Sequence, residues 1–269
     1  MAEEKEMGFL DHLEEMRGRI IKSMIGIAVG AIVLFSSKDF VFDRILFGPR
    51  KPEFFTFRAL CWASNKLGFG DDFCVTEINY ELINTTMVGQ FTAHLLVSII
   101  GGFIVAFPFV YNQIWSFIKP GLKQREANAV KGVVFYASLL FFTGILFGYF
   151  VIAPMSLQFL GNYQVGDVAS TITIMSYLKT VASITLSAGL VFQLPILVYF
   201  LTKIGLVNPE ILRKFRKHAL VAVLILAAMI TPPDVTSQIL VAIPVLLLYE
   251  VSIFISKRVI KAKTASQRA

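Results

Sequence analysis

Long apolar runs separated by short basic loops constrain this chain more than any other feature. About 20 apolar residues cross a hydrocarbon core of ~30 Å. The pattern therefore reads as an all-α, polytopic membrane protein. We expect one integral membrane domain over residues 1–269, with six transmembrane helices near 20–36, 87–117, 132–153, 177–202, 217–230 and 237–256. The segment 37–84 is then a long connecting loop. Pro108 interrupts the second span and Pro195 lies inside the fourth. Proline removes a backbone donor, so both should kink. Pro154 is expected to stop the third.

The last two spans are expected to be short. Ala219 to Ile230 covers only ~18 Å at 1.5 Å per residue. It runs into Thr231-Pro232-Pro233-Asp234, and Pro244 lies within the final run. A thinned bilayer or approaching water would accommodate such a pair; the alternative is a re-entrant hairpin that never crosses.

Composition agrees. The 269 residues are 56% hydrophobic and 16% charged, with mean hydropathy +0.70, too apolar for an ordinary soluble domain. The net charge of +7 does not imply nucleic acid, because the basic residues gather in the loops. Lys119, Lys123, Arg125 and Lys131 flank one connection, and Lys203, Arg213, Lys214, Arg216 and Lys217 another. Lys257, Arg258, Lys261, Lys263 and Arg268 form the tail. The stretches 161–176 and 232–236 hold neither Lys nor Arg. The positive-inside rule then places both termini in the cytoplasm. No apolar stretch precedes Ile20, so no cleavable signal peptide is expected and the first span should be retained. No internal repeat is visible, which disfavours inverted-repeat transporters.

Cys61 and Cys74 fall in the 37–84 loop, which this topology puts outside. An oxidising compartment favours a disulfide, worth about 3 kcal/mol in the chain-entropy model; two free thiols are the alternative. Phe54, Phe55, Phe57, Trp62, Leu67 and Phe69 suggest that this loop packs on the membrane or on the spans.

No catalytic or metal-binding motif is present: no HExxH, no GxSxG, no Walker lysine loop, no Cys/His cluster. The chain reads as a non-enzyme without a cofactor. His94 lies within span two and reads as a satisfied buried polar group; His12 and His218 flank spans. The lead-in Phe9-Leu10-Asp11-His12-Leu13-Glu14-Glu15-Met16-Arg17-Gly18-Arg19 is acidic where Lys and Arg are usual. As a helix it aligns Phe9, Leu13, Met16 and Ile20 in one apolar stripe, with Glu15 roughly opposite. Glu15 can pair with Arg19 at i,i+4, in the favourable order. It can also receive an incoming guanidinium. Glu126 by itself reads as an ordinary loop acid. Asp234 can cap the last helix, with Gln238 one turn on. Gln193 and Glu250 lie within apolar spans, and an intramembrane carboxylate is a functional candidate by default. Glu250 can instead pair with Arg258 or hydrate at the rim.

Taken together, His12-Leu13-Glu14-Glu15-Met16-Arg17-Gly18-Arg19 resembles the N-terminal signature of the TatC family, the receptor core of the twin-arginine protein translocase. Pro108 with Tyr111-Asn112-Gln113-Ile114-Trp115-Ser116-Phe117-Ile118-Lys119-Pro120-Gly121-Leu122 agrees in order and spacing. So do Phe147-Gly148-Tyr149-Phe150 and Thr231-Pro232-Pro233-Asp234-Val235-Thr236-Ser237-Gln238. The resemblance runs from about residue 8 to 258.

It implies a concave, glove-like six-helix bundle in the bacterial cytoplasmic (inner) membrane, acting in an oligomeric complex. It implies binding of twin-arginine signal peptides of folded precursors through Glu15 and Glu126, with Phe117 and His12 nearby. Pro108, Gln193, Asp234, Gln238 and Glu250 become structural or partner-contact positions. The implied partners are TatB-like and TatA-like single-span proteins, with export driven by the proton-motive force. Two departures stand out. Gln193 occupies a position where the family often carries an acid, and the first outside loop is longer than in familiar members. The competing reading is a small-solute permease or channel, motivated by the kinked spans and by Gln193, His94 and Glu250.

Overall fold

In the computed structural model the described residues are 9–68, 74, 80–118, 132–163, 171–230 and 235–268, and they are mostly helical. In chain order α1 covers Phe9–Ser36, α2 Phe55–Leu67, β1 Glu81–Ile83, α3 Gly89–Ile118, α4 Val133–Phe147 and α5 Ala153–Asn162. Then come β2 Thr171–Thr173, α6 Ile174–Val191, α7 Leu194–Lys203, α8 Pro209–Lys214, α9 Arg216–Ile230 and α10 Val235–Arg268. Among the described residues five helical stretches are long and apolar enough to cross a membrane: Leu13–Ser36, Gly89–Ile118, Val133–Asn162, Ile174–Lys203 and Gln238–Ala262. The chain divides into two compact units, Met1–Lys38 with His94–Leu139 and Asp39–Ala93 with Leu140–Ala269.

In the first unit α1 lies antiparallel against α3, and glycine sets the spacing. A Cβ on Gly102 would stand 2.5 Å from the backbone nitrogen of Ala31, and one on Gly30 would stand 2.9 Å from the Gly102 carbonyl oxygen. Small residues at such crossings let backbones meet where lipid supplies no hydrophobic drive. Further along, Phe35 stacks on His94 at 4.0 Å with ring planes 5° apart. α3 stays helical through Pro108.

The second unit has its apolar core where Ile152, Ile184, Val223, Val241 and Val245 meet. Here the structure corrects the expected stop at Pro154. A π-helical stretch, Gly148–Ile152, follows α4, and Pro154 then falls in the first turn of α5. A first-turn proline forfeits no bond, because that N–H has no intrahelical partner. The helical path therefore continues to Asn162. Pro195 behaves similarly. α6 ends at Val191, Phe192 and Gln193 turn, and Pro195 enters the first turn of α7. The Gln193 carbonyl accepts from the N–H groups of Ile196 and Leu197, each at 3.0 Å.

The expectation of two short final helices also needs correction. α9 has 15 residues, but α10 has 34. Its apolar stretch ends near Ile255, while the helix runs on through Lys257, Arg258 and Lys261. Lys and Arg are good helix formers, so helicity does not need the apolar pattern to continue. The Thr231-Pro232-Pro233-Asp234 connection lies outside the described residues.

Within the expected 37–84 loop, many of the described residues form regular structure. A π-helical stretch at Phe40–Leu46 leads to a 3-10 turn at Gly48–Arg50 and then α2. β1 pairs in parallel with β2, Leu82 opposite Ile172. Cys61 and Cys74 are joined in a disulfide. Three side-chain hydroxyls tie this segment to the spans. Tyr177 donates to the Leu46 carbonyl at 2.8 Å, Tyr149 donates to the Ile45 carbonyl, and Thr56 donates to the Phe150 carbonyl. Phe54 packs between Tyr149 and Phe150, 5.6 Å from each ring. Tyr80 is buried against Gly161. Burial pushes its hydroxyl up to about 12, with the Arg50 charge pulling the other way.

The close α1–α3 approach is testable by substitution. Gly102→Leu should lower thermal stability in detergent by at least about 1–3 kcal/mol, because backbone atoms occupy the space. Gly18 has nothing within 4 Å of where a Cβ would stand. It should accept Ala and gain about 0.5–1 kcal/mol of helix propensity. A Gly102→Leu protein that melts like the parent would contradict the close crossing.

Candidate functional site

The acidic lead-in folds as the first turns of α1. Within those turns Glu15 Oε1 accepts two hydrogen bonds from Arg19, from Nε at 3.0 Å and from Nη2 at 2.6 Å. The Arg19 and Glu15 side chains are 26% and 25% exposed. Both bonds fall on one oxygen. Among the described residues Glu15 is ion-paired with Arg19 alone.

The register of the first unit places other residues near this level. Leu34 meets Gly101 and Gly26 meets Phe109, so each step back along α1 matches a step forward along α3. Continued by helix rise alone, that register sets the last turn of α3 level with Gly18, about one turn along α1 from Glu15. Phe117 lies in that last turn of α3, part-buried. Glu126, Asp234 and the side chain of His12 lie outside the described residues.

The remaining described candidates fall on other helices and turns. Glu250, on α10, accepts from Arg216 Nη2 at 2.7 Å, with both side chains about half exposed. Arg258, the partner offered as one alternative, instead places its guanidinium 4.4 Å over the Phe254 ring. Arg216 opens α9, so a cation from a different helix reaches Glu250 before one from its own helix does. Gln238 donates from Nε2 to the Leu224 carbonyl at 3.1 Å, joining α10 to α9. Gln193 occupies the turn between α6 and α7. Pro108 lies within α3.

Sequence reasoning missed two polar ties at the other end of α10. Thr202 donates to Ser256 at 2.9 Å within a buried pair, and Tyr249 donates to the Leu212 carbonyl at 2.8 Å. Hydroxyls in apolar runs carry no periodic signal that would announce such partners. Among the described residues no group of His, Cys, Asp or Glu could hold a metal ion.

Long apolar helices, an acidic helix start carrying a guanidinium-bound carboxylate, and paired polar groups between spans define a polytopic α-helical membrane protein. Comparison with known proteins narrows this class. The family described as Sec-independent protein translocase protein (TatC) matches residues 11–244. The chain is 39% identical over 267 residues to the TatC of Blattabacterium sp. subsp. Periplaneta americana (strain BPLAN), covering 97% of this chain and 99% of that one. It is 31% identical over 265 residues to the TatC of Aquifex aeolicus (strain VF5), covering 98% and 100%. A crystal structure of the Twin Arginine Translocase Receptor TatC, in the detergent DDM, superposes with TM-score 0.69 at 31% identity, covering 91% of this chain and 99% of that chain. The chain belongs to the TatC family and is a component of the Tat protein-transport system, a non-catalytic translocase.

The Arg216–Glu250 pair should matter little to stability. Glu250→Gln is expected to shift thermal unfolding in detergent by less than about 1 kcal/mol, as for other half-exposed pairs. A larger loss would show that the pair is sheltered from solvent.

Proposed function

We propose that this chain is the signal-peptide receptor and core subunit of a twin-arginine translocase in the bacterial inner membrane, with both termini in the cytoplasm. The observation that carries this reading is Glu15 binding a guanidinium at the start of α1. The carboxylate already engages the chemical group that a twin-arginine signal would bring. Guanidinium is a planar fork that carboxylates accept in defined geometry, while ammonium is a point charge. A second carboxylate, Glu126, takes the other arginine, with Phe117 and His12 beside the site. Two such acceptors explain a demand for Arg over Lys. Each charge-assisted bond contributes about 1.5–3 kcal/mol, so the apolar part of the signal peptide adds affinity along the spans.

The proposed complex includes TatB-like and TatA-like single-span partners and exports folded precursors using the proton-motive force. Gln193 offers no titratable group within span four, so proton coupling in this chain does not run through that position.

The test is site-specific crosslinking of a twin-arginine precursor and its Lys-Lys variant to the purified complex. Glu15→Ala and Glu126→Ala should each weaken crosslinking of the Arg-Arg form by tenfold or more, since about 1.4 kcal/mol is a factor of ten. Undiminished crosslinking in the double variant would remove both residues from the site.

A further inference from the structure

α2 presents an aromatic face that the rest of the described fold does not cover. At about 100° per residue, Phe55, Ala59, Trp62 and Lys66 lie within about 60° of one another, with Arg58 at the margin. Phe55 is 69% exposed and Trp62 64% exposed. On the opposite side of the helix Thr56, Phe57 and Ser64 are buried. Phe57 and Thr56 turn toward the spans, as the Thr56–Phe150 hydrogen bond shows. The Lys66 ammonium lies 4.7 Å over the Trp62 ring. The helix contains two cations and no acid.

The depth of this face follows from its tie to Phe150. Counting 1.5 Å per residue from the start of α4 at Val133, Phe150 stands about 25 Å along the span. A hydrocarbon core of ~30 Å then ends within a few ångström of it. α2 therefore starts at the boundary between hydrocarbon and headgroups. Phe55, at the near end, still touches Phe150 edge-on at 6.0 Å. Phe40 and Ile45 of the same unit are also exposed.

We propose that α2 is a membrane-interface anchor: Phe55 and Trp62 insert among phospholipid headgroups, and Arg58 and Lys66 bind their phosphates. The occupant is the phospholipid surface rather than a protein. Trp is the side chain whose apolar ring and polar N–H suit that layer. Two cations with no acid complement a phosphate layer, and their aliphatic stems let the charges reach outward from the apolar face. On the topology proposed above, this is the outer leaflet of the inner membrane. The Cys61–Cys74 disulfide cross-links α2 to Cys74. This inference needs only that the spans cross the bilayer; it stands or falls apart from signal-peptide binding.

The chain has two tryptophans, Trp62 and Trp115, which makes the test direct. The full-length Trp115→Phe protein is placed in phospholipid vesicles or nanodiscs. Its fluorescence is then read against lipids brominated near the carbonyl end of the acyl chains, lipids brominated near the methyl end, and aqueous iodide. Carbonyl-end bromines should quench Trp62 strongly, methyl-end bromines less, and iodide weakly. Free access of iodide with no quenching by either bromolipid would overturn the proposal, as would quenching relieved only by removing a co-purifying protein. Should Trp115→Phe fail to fold, the parent and Trp62→Phe proteins are compared under the same quenchers. Trp62→Phe must then remove the carbonyl-end quenching component, and its persistence would equally overturn the anchor.

Discussion

Hydrocarbon gives a backbone nothing to hydrogen-bond with, so each crossing segment must close its own ladder. Proline is the test of that constraint, and this chain places Pro108, Pro154, Pro195 and Pro244 within or beside apolar helices. It meets the problem in two ways. Pro154 and Pro195 sit in the first turns of α5 and α7, where the missing N–H has no intrahelical partner. The preceding irregularity is a π-helical stretch in one case and a two-residue turn in the other. Pro108 and Pro244 remain inside α3 and α10, leaving an acceptor for local adjustment within a long, otherwise complete helix.

The same constraint shapes the segment outside the spans. Its irregular backbone lies at the ends of the helices, and the helices themselves supply its donors. Tyr149 and Tyr177 reach out to the carbonyls of Ile45 and Leu46, while Thr56 reaches back to the carbonyl of Phe150. These ties bridge positions far apart in sequence and hold α2 in one orientation. The face that α2 leaves open is thus fixed by hydrogen bonds on its other side.

Much of this is legible in the sequence, for identifiable reasons. Apolar length announces the long helices, because membrane crossing is a local property. The Glu15–Arg19 pair is legible because helix geometry brings i and i+4 together. Pro154 reads wrongly as a stop, since its place in a first turn depends on a π-helical stretch that leaves no clear sequence mark. The end of α10 is hidden because helicity outlasts apolarity there. Glu250 finds Arg216 rather than Arg258, as partners separated by a whole helix hairpin are invisible to periodicity. The role of Glu126 enters through family resemblance and remains part of the proposed reading.

On that reading the Glu15–Arg19 pair is a resting state rather than an obstacle. An i,i+4 ion pair on a helix contributes only about 0.3–0.5 kcal/mol. An incoming guanidinium makes the same kind of bond, so exchange at Glu15 is close to neutral and the net affinity comes from the signal peptide's other contacts. Meanwhile Arg19 neutralises Glu15 when no signal is present, so the carboxylate does not stand uncompensated at the edge of a low-dielectric slab. Both Arg19 bonds fall on Oε1, and the same carboxylate serves Arg19 at rest and a signal arginine in turn. One carboxylate shared in this way gives weak discrimination by itself. Selectivity for two adjacent arginines then has to come from a second acceptor at a fixed distance, which is the role the proposed function assigns to Glu126.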